Sequence, residues 1–224
     1  MKLFPLTFAF ASLFASAVVA QAPTPSLAKT SELTSAGSVV NLPGLTIHGG
    51  NDKSIEAEGK VALTDGILEF IAVQSEGRAY ESLLTLDCKP SELKFALLLI
   101  GCEADEKQGS PLALEIEWQQ DGKAKRVPVE ELLLDRHTKK PAAKLSWRFT
   151  GSNFVKDPLS GREVFQADQE AAFIALWWEP SVLINVVGDH GNPYRADDQG
   201  FEVLKTAVPP TGTPVKLILR KRVQ

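Results

Sequence analysis

Short runs of alternating apolar and polar residues cover much of the chain beyond residue 54, and each run predicts a β-strand. Alternation over 55–63 ends at the turn residues 64–66, and a second run follows at 67–74, which together predict a hairpin. Asp121 and Gly122 predict the turn of another hairpin, because this pair favours a tight two-residue turn. Further strands are predicted at 80–86, 112–118, 144–151, 162–167, 171–178 and 214–222.

One segment, residues 90–101, departs from this alternation and predicts a helix. Pro90 suits the first helical position, the charge of Glu92 suits the first turn, and Gly101 suits the position just past the end. Apolar residues cover most of the helix circumference, so we expect it to be buried between a sheet and a second covering layer. These residues are Leu93, Phe95, Ala96, Leu97, Leu98, Leu99 and Ile100.

The order of these elements predicts an α+β fold that is predominantly antiparallel β, with one well-defined buried helix at about 90–101. Residues 128–134 and 179–185 each predict at most a short helical segment. Successive hairpins with a single strong helix are typical of such a mixed architecture.

The first twenty residues have the layout of a secretory signal peptide. Lys2 precedes an apolar run, and the small residues Val18 and Ala20 precede the expected cleavage point. A retained membrane anchor is the alternative, because the apolar run approaches the length of a membrane span, but the serines and alanines near its end favour cleavage. We expect an exported chain, periplasmic or secreted, with no transmembrane span after residues 1–20 are removed.

The rest of the chain divides into two parts. Residues 21–42 are rich in Pro, Ser, Thr and Ala and predict a flexible leader. Residues 43–224 are long enough for one substantial hydrophobic core, so they predict a single domain.

Charge and motifs exclude several classes of function. The formal net charge is −4, and loss of Lys2 with the signal peptide makes it more negative, so nucleic acid and anionic membrane surfaces are not expected partners. The chain contains no H-E-x-x-H, G-x-S-x-G, P-loop or G-x-G-x-x-G sequence. No cofactor is therefore predicted, and an enzyme is the less favoured class.

The two cysteines, Cys88 and Cys102, flank the predicted helix. A continuous helix between them holds the thiols about 20 Å apart, whereas a disulfide needs Cα atoms about 4.4–6.8 Å apart, so we expect no bond between them. Cys88 lies just before the helix N-terminus, which can stabilise a thiolate, and it is the candidate nucleophile. The alternative is that Cys88 is a small buried apolar residue where strand and helix join.

The loop at 188–202 carries most of the candidate metal ligands. Oxygen and nitrogen atoms of its side chains suit a divalent cation, although their spacing does not match an EF-hand. An exposed connection explains the same residues, because Gly, Asn-Pro and Asp-rich sequences favour turns. The candidate ligands are Asp189, His190, Asn192, Asp197 and Asp198.

Two adjacent tryptophans precede Glu179. Trp177 and Trp178 point to opposite faces if the strand continues through them, so one is expected in the core and the other partly exposed. An exposed Trp178 beside Glu179 would form a stacking surface for a sugar or a partner chain. Packing of both rings in the core is the alternative.

Four ordered segments carry a resemblance to a known family. GRAYESLLTLDCKPSELKFALLLIG, FTGSNFV, ALWWEPSVLIN and PPTGTPVKLIL together resemble the YdjY-type domain of exported bacterial proteins, over residues 55–219. The resemblance implies an exported setting and no particular reaction. Members of that family often carry a histidine before the Glu of the E-S-L-L segment, whereas Tyr80 precedes Glu81 here, which argues against a His-dependent site. Two distant cysteines also cannot hold an iron–sulfur cluster.

These observations favour an exported, non-catalytic module that binds an unknown ligand or an envelope protein. The alternative is an enzyme, either thiol-dependent through Cys88 or a metal-assisted hydrolase that uses residues 189–198.

Overall fold

A closed β-barrel forms the centre of the protein. The computed structural model describes residues 37–193, 195 and 198–222. Eight of the strands in these residues pair in a ring that returns to its first member. In spatial order they are β3 (Ser54–Val61), β17 (Pro214–Lys221), β7 (Pro111–Gln120), β11 (Trp147–Phe149), β15 (Ile184–Val186), β14 (Ala172–Ala175), β5 (Phe70–Gln74) and β6 (Ser82–Leu86).

The ring closes because β3 divides its pairing between two partners. Its first half pairs with β2 (Leu45–His48), and its last residues, 59–61, pair with β6. The change of partner falls at Gly59, where a Cβ atom would lie 2.1 Å from the carbonyl oxygen of Thr85. Only glycine allows this close approach of two backbones.

The strands outside the ring form extensions and small sheets. β1 (Val39–Leu42) extends the sheet beyond β2, and β8 (Lys123–Pro128) pairs with β7 across the Asp121-Gly122 turn. A second sheet contains β10 (Lys140–Pro141), β9 (Leu133–Asp135), β16 (Phe201–Val203) and β4 (Ile67–Leu68). β12 (Phe154–Lys156) and β13 (Glu163–Phe165) form a separate hairpin.

The described residues contain two α-helices, α1 (Pro90–Leu99) and α2 (Gln166–Glu170), and short 3-10 turns at Ala79–Glu81 and Val129–Leu132. α1 begins with Pro90 in its first turn, where the missing N–H of proline breaks no helical hydrogen bond. It ends in a Schellman motif, because the Gly101 and Cys102 amides donate to the carbonyl oxygens of Leu98 and Leu97. The predicted start at Pro90 and the role of Gly101 past the end are thus confirmed, and the last helical residue is Leu99.

α1 is buried on one face only. Leu93, Ala96 and Leu97 belong to the main core, whereas Leu98 is 48% exposed and Phe95 is also exposed. The predicted second covering layer is absent from the described residues over this part of the helix. An apolar circumference predicted full burial, but Phe95 and Leu98 lie on a face of the helix that the described residues leave in contact with solvent.

The α+β class predicted from the sequence is wrong. The described residues are mostly β, with a closed barrel and only two helices. Alternation of apolar and polar residues shows which face of a strand is buried, but it does not show whether the last strand returns to the first. The pairing of β3 with β6 decides the architecture, and it joins strands that are separated in the chain by β4, β5 and the 3-10 turn at Ala79–Glu81.

Two local predictions are also wrong. β3 does not form a hairpin with the run at 67–74, because β4 pairs with β16 in the second sheet and β5 pairs with β14 and β6. Residues 184 and 185, the last two of the helical segment predicted at 179–185, lie in β15, which is parallel to β14. Long-range pairing outweighs the local pattern in both places.

The N-terminal predictions lie mostly outside the described residues. The signal peptide (1–20) and most of the predicted leader (21–42) fall there, and the last four leader residues form β1. No helix within the described ranges is both long and apolar enough to span a bilayer.

Candidate binding site beside Trp178

Trp178 lies in the connection between β14 and β15, where the chain leaves the barrel wall. Its side chain is 42% exposed, and Trp177 is half-buried, so neither ring lies in the core as the sequence predicts for one of them. β14 ends at Ala175, before both tryptophans, and strand alternation therefore does not govern them. A large aromatic side chain so exposed is available to a ligand. Trp178 borders an open cleft of about 310 Å³. The cleft is lined by Lys94, Ala104, Asp105, Glu106, Thr150, Ser152, Asn153, Trp178 and Pro180.

The connection that carries Trp178 is held by a buried asparagine. Asn185 is 1% exposed, and its Oδ1 accepts from the Glu179 amide at 2.8 Å. Its Nδ2 donates to the Glu179 carbonyl at 3.0 Å and to Thr150 Oγ1 at 2.9 Å. Because these bonds join the loop to the barrel strand β15, the backbone next to Trp178 is fixed before any ligand arrives.

Glu179 has a different position from the one predicted. Its carboxylate turns into its own loop and accepts from the Ser181 amide at 3.0 Å and from Ser181 Oγ at 2.8 Å. Glu179 does not line the cleft. It stabilises the turn that presents Trp178, so it is a positioning residue rather than a ligand contact.

Polar groups surround the indole on the other walls of the cleft. Asp105 accepts from the Lys107 and Gln108 amides, and these bonds lower the pKa of its carboxyl group. Lys94 Nζ lies 4.6 Å from the centroid of the Phe165 ring, and burial lowers its pKa. The exposed Asn153 amide makes no side-chain hydrogen bond within the described chain. The cleft therefore offers an aromatic surface with donors and acceptors at its edges.

The two thiols are poor nucleophiles. Both are free and buried, on either side of an unbroken α1, as the sequence predicts. Burial, together with the nearby charge of Glu92, raises the pKa of Cys88 to about 12. Burial raises the pKa of Cys102 to about 11. Neither group ionises near neutral pH, so the helix N-terminus does not activate Cys88 and its small apolar role is the better description.

The loop at 188–202 uses its candidate ligands for its own structure. Asp189 Oδ1 accepts from the Gly191 amide at 3.0 Å, and His190 Nε2 lies 3.2 Å from the Val187 carbonyl oxygen. Asp198 pairs with His137 at 3.2 Å, a partner that the sequence does not indicate.

No three metal-binding side chains converge in this loop or elsewhere in the part of the chain that the structure describes. The backbone carbonyl of Asn192 accepts from the Arg195 amide, and Asp197 lies outside the described residues. Asp189 and His190 line a different cleft from Trp178, so the predicted binding residues do not form one site.

Glu69, Arg78 and Glu81 form a charged cluster that the sequence pattern does not predict. Glu69 and Glu81 are 5% and 7% exposed, and Arg78 Nη1 donates to Glu69 Oε2 at 3.1 Å. The Arg78 guanidinium lies 4.2 Å above the Phe70 ring, and its Nε is 3.7 Å from Glu81. Burial, followed by the neighbouring Glu81, raises the pKa of Glu69 to about 7. The available signal was one acidic residue inside the apolar run 67–73.

Comparison with known proteins assigns the chain to a family. No curated protein and no solved structure matches it. The family model of the YdjY domain matches residues 50–220, which is nearly all of the barrel with its attached sheets. The chain therefore belongs to the YdjY domain family.

Proposed function

We propose that the protein is an exported, non-catalytic binding module whose ligand stacks on Trp178. The carrying observation is the exposed indole beside a cleft with polar walls. Sugar rings have flat apolar faces bordered by hydroxyl groups, and an aromatic surface with donors and acceptors at its edges complements that shape. The proposed ligand class is therefore a saccharide.

Rigidity of the loop supports the proposal. The three hydrogen bonds of Asn185 and the two of Glu179 hold the Trp178 segment in one conformation. A fixed aromatic surface loses little conformational entropy on binding, so more of the stacking energy appears as affinity.

The enzyme alternatives receive less support. Cys88 and Cys102 are buried, and their raised pKa values keep both as neutral thiols. Asp189, His190 and Asp198 are engaged within their own loop or with His137. The export part of the proposal rests on the Lys2, apolar-run and Ala20 pattern of the N-terminus.

Binding to a panel of soluble oligosaccharides tests this function. Isothermal titration should detect at least one neutral glucan, chitin-type or galactan oligosaccharide. Trp178→Ala should weaken that affinity about tenfold, because loss of one stacking contact costs about 1.4 kcal/mol. Tyr80→Ala is the matched control, since Tyr80 is 73% exposed but does not line the cleft.

Two outcomes would contradict the proposal. One is the absence of binding to every oligosaccharide in the panel. The other is equal weakening by Trp178→Ala and Tyr80→Ala, which would mean that general loss of an aromatic surface explains the result. Retention of affinity in Trp178→Phe would strengthen it, because the aromatic face remains.

A further inference from the structure

A second cleft, separate from the Trp178 cleft, collects positive charge. Its volume is about 570 Å³, and it lies where the turn before β3, the end of α1 and the end of β17 meet. We call it the basic cleft and define it by Lys53, Arg220, Lys221 and Arg222, with Asp52 as the acidic residue among its lining side chains.

Two of the four cations already have partners. Arg220 pairs with Glu115 across the β17–β7 ladder. Lys221 Nζ donates to the Gly101 carbonyl at 2.6 Å, just past the end of α1. That carbonyl is a neutral partner, so the full charge of Lys221 remains uncompensated.

Lys53 and Arg222 contribute their charge without a side-chain partner among the described residues. Both are half-buried rather than extended into solvent. Against Asp52, the uncompensated charges of Lys53, Lys221 and Arg222 leave the cleft positive, although the whole chain is acidic. Partial burial makes this field stronger than the same charges would produce on an open surface.

The remaining lining groups fit an oxyanion. Asn51 and Gln108 carry amide donors, and Ile100 and Pro111 supply apolar surface for the body of a ligand. Arginine presents a planar fork of donors that matches phosphate oxygens, and lysine adds a compact charge. A phosphate ester carries between one and two negative charges near neutral pH, which balances the local excess better than a carboxylate does.

We propose that the basic cleft binds a phosphate group of a phosphorylated ligand through Lys53, Lys221 and Arg222. The phosphate source is either a soluble phosphate ester or a phosphorylated lipid headgroup, since both present the same oxygens. This site is independent of the saccharide proposal, because none of its residues lines the Trp178 cleft.

The test is a titration of the purified mature protein with inorganic phosphate. Backbone amide chemical shifts are measured by NMR at each step of the titration. Shifts should cluster at residues 51–53, 108–110 and 220–222. The variant with Lys53→Gln and Arg222→Gln together should weaken phosphate affinity by about a hundredfold or more, since it removes two charged hydrogen-bond donors at once. The matched control, Lys140→Gln with Lys144→Gln, removes the same charge from exposed positions elsewhere.

A second arm distinguishes the sources of phosphate. Vesicles of phosphatidic acid with phosphatidylcholine, compared with phosphatidylcholine alone, report binding to a lipid headgroup that ends in a phosphate monoester. Inorganic phosphate binding without vesicle binding assigns the site to soluble esters, and binding to both assigns it to headgroups. Binding to neither would overturn the proposal. Equal weakening of the two double variants would also overturn it, because net charge rather than the cleft would then control affinity.

Discussion

Glu69 is a buried acid whose protonation is favoured by the fold. It lies against Glu81 and Arg78, with the charge of Glu179 also acting on it, and burial is the largest cause of its raised pKa of about 7. Two carboxyl groups beside one guanidinium cannot both ionise without repulsion. The pair therefore retains a proton at a pH where an exposed Glu is charged.

We predict that the free energy of unfolding falls as pH rises from about 4.5 to about 7. The folded pKa of Glu69 is raised, so its contribution is complete below the ordinary pKa of Glu and is lost as pH passes the folded value. Each pH unit within this window costs up to about 1.4 kcal/mol. Urea unfolding at pH 5 and pH 8 measures the difference.

Glu69→Gln should flatten this pH dependence, because the glutamine side chain does not titrate in this pH range. Glu163→Gln, at an exposed position on β13, is the control and should keep the slope of the parent protein. An unchanged slope in Glu69→Gln would show that another group titrates in this range.

Cys88 and Cys102 should resist alkylation in the folded protein. Burial and raised pKa values keep both as thiols at pH 8, so iodoacetamide should label them only after denaturation. Non-reducing peptide mapping of the folded monomer should recover both cysteines unlinked. A linked Cys88–Cys102 peptide would mean that α1 is broken between them.

Single residues were predictable where a local rule governs them. The start of α1 follows from Pro90, and its termination follows from Gly101. The positions of Trp177 and Trp178 do not follow from strand alternation, because β14 ends at Ala175. Glu69 could not be assigned, because its partners lie on another element, at residues 78–81. Glu179 could not be assigned either, because the pattern does not show that its carboxylate turns back to Ser181 within the same loop.

At the scale of the element, α1 has one buried face and one exposed face, and a pair of variants tests this difference. Leu97 is fully buried in the main core, and the next residue, Leu98, is 48% exposed. Leu97→Asp should lower the melting temperature severely, because an unpaired buried carboxylate costs several kcal/mol against a total stability of about 5–15 kcal/mol.

Leu98→Asp is the matched control for that prediction, since it places the same charge one position along the helix in contact with water. Its melting temperature should stay close to that of the parent, as measured by circular dichroism. Equal melting temperatures for the two variants would mean that the buried face of α1 is wrongly assigned.

Individual strands were more predictable than their partners. The runs that form β7, β11 and β17 are correctly placed, and the Asp121-Gly122 turn joins β7 to β8 as expected. The hairpin predicted from Thr64-Asp65-Gly66 is absent, because β4 leaves the barrel and joins β16. A turn sequence shows that the chain reverses, but the partner of the returning strand depends on the whole sheet.

At the scale of the whole molecule, we predict that residues 1–20 are removed during export. Lys2, the apolar run and the small residues Val18 and Ala20 are the motivation. Intact-mass spectrometry of the exported protein should give a chain that begins at Gln21. An intact Met1 on that protein would contradict the prediction and favour a retained anchor.

The barrel itself could not be predicted from the sequence. Apolar alternation, one helix and several turns are compatible with an open mixed sheet as well as with a closed ring. Closure depends on the contact of Gly59 with the backbone of Thr85, which neither residue reveals alone. The basic cleft is similarly hidden by the net charge of −4, because it joins cations from residues 53 and 220–222.

The place of β17 in the barrel sets the order in which the protein can fold. β17 is the last strand in the chain, yet it lies between β3, the third, and β7, with Leu219 opposite both Ile55 and Leu114. The wall therefore has a gap until β17 pairs with β3, which precedes it by most of the described chain, and contacts of such long sequence separation form slowly. Folding of the barrel should accordingly be limited by this late pairing and not by the formation of α1 or of the local turns.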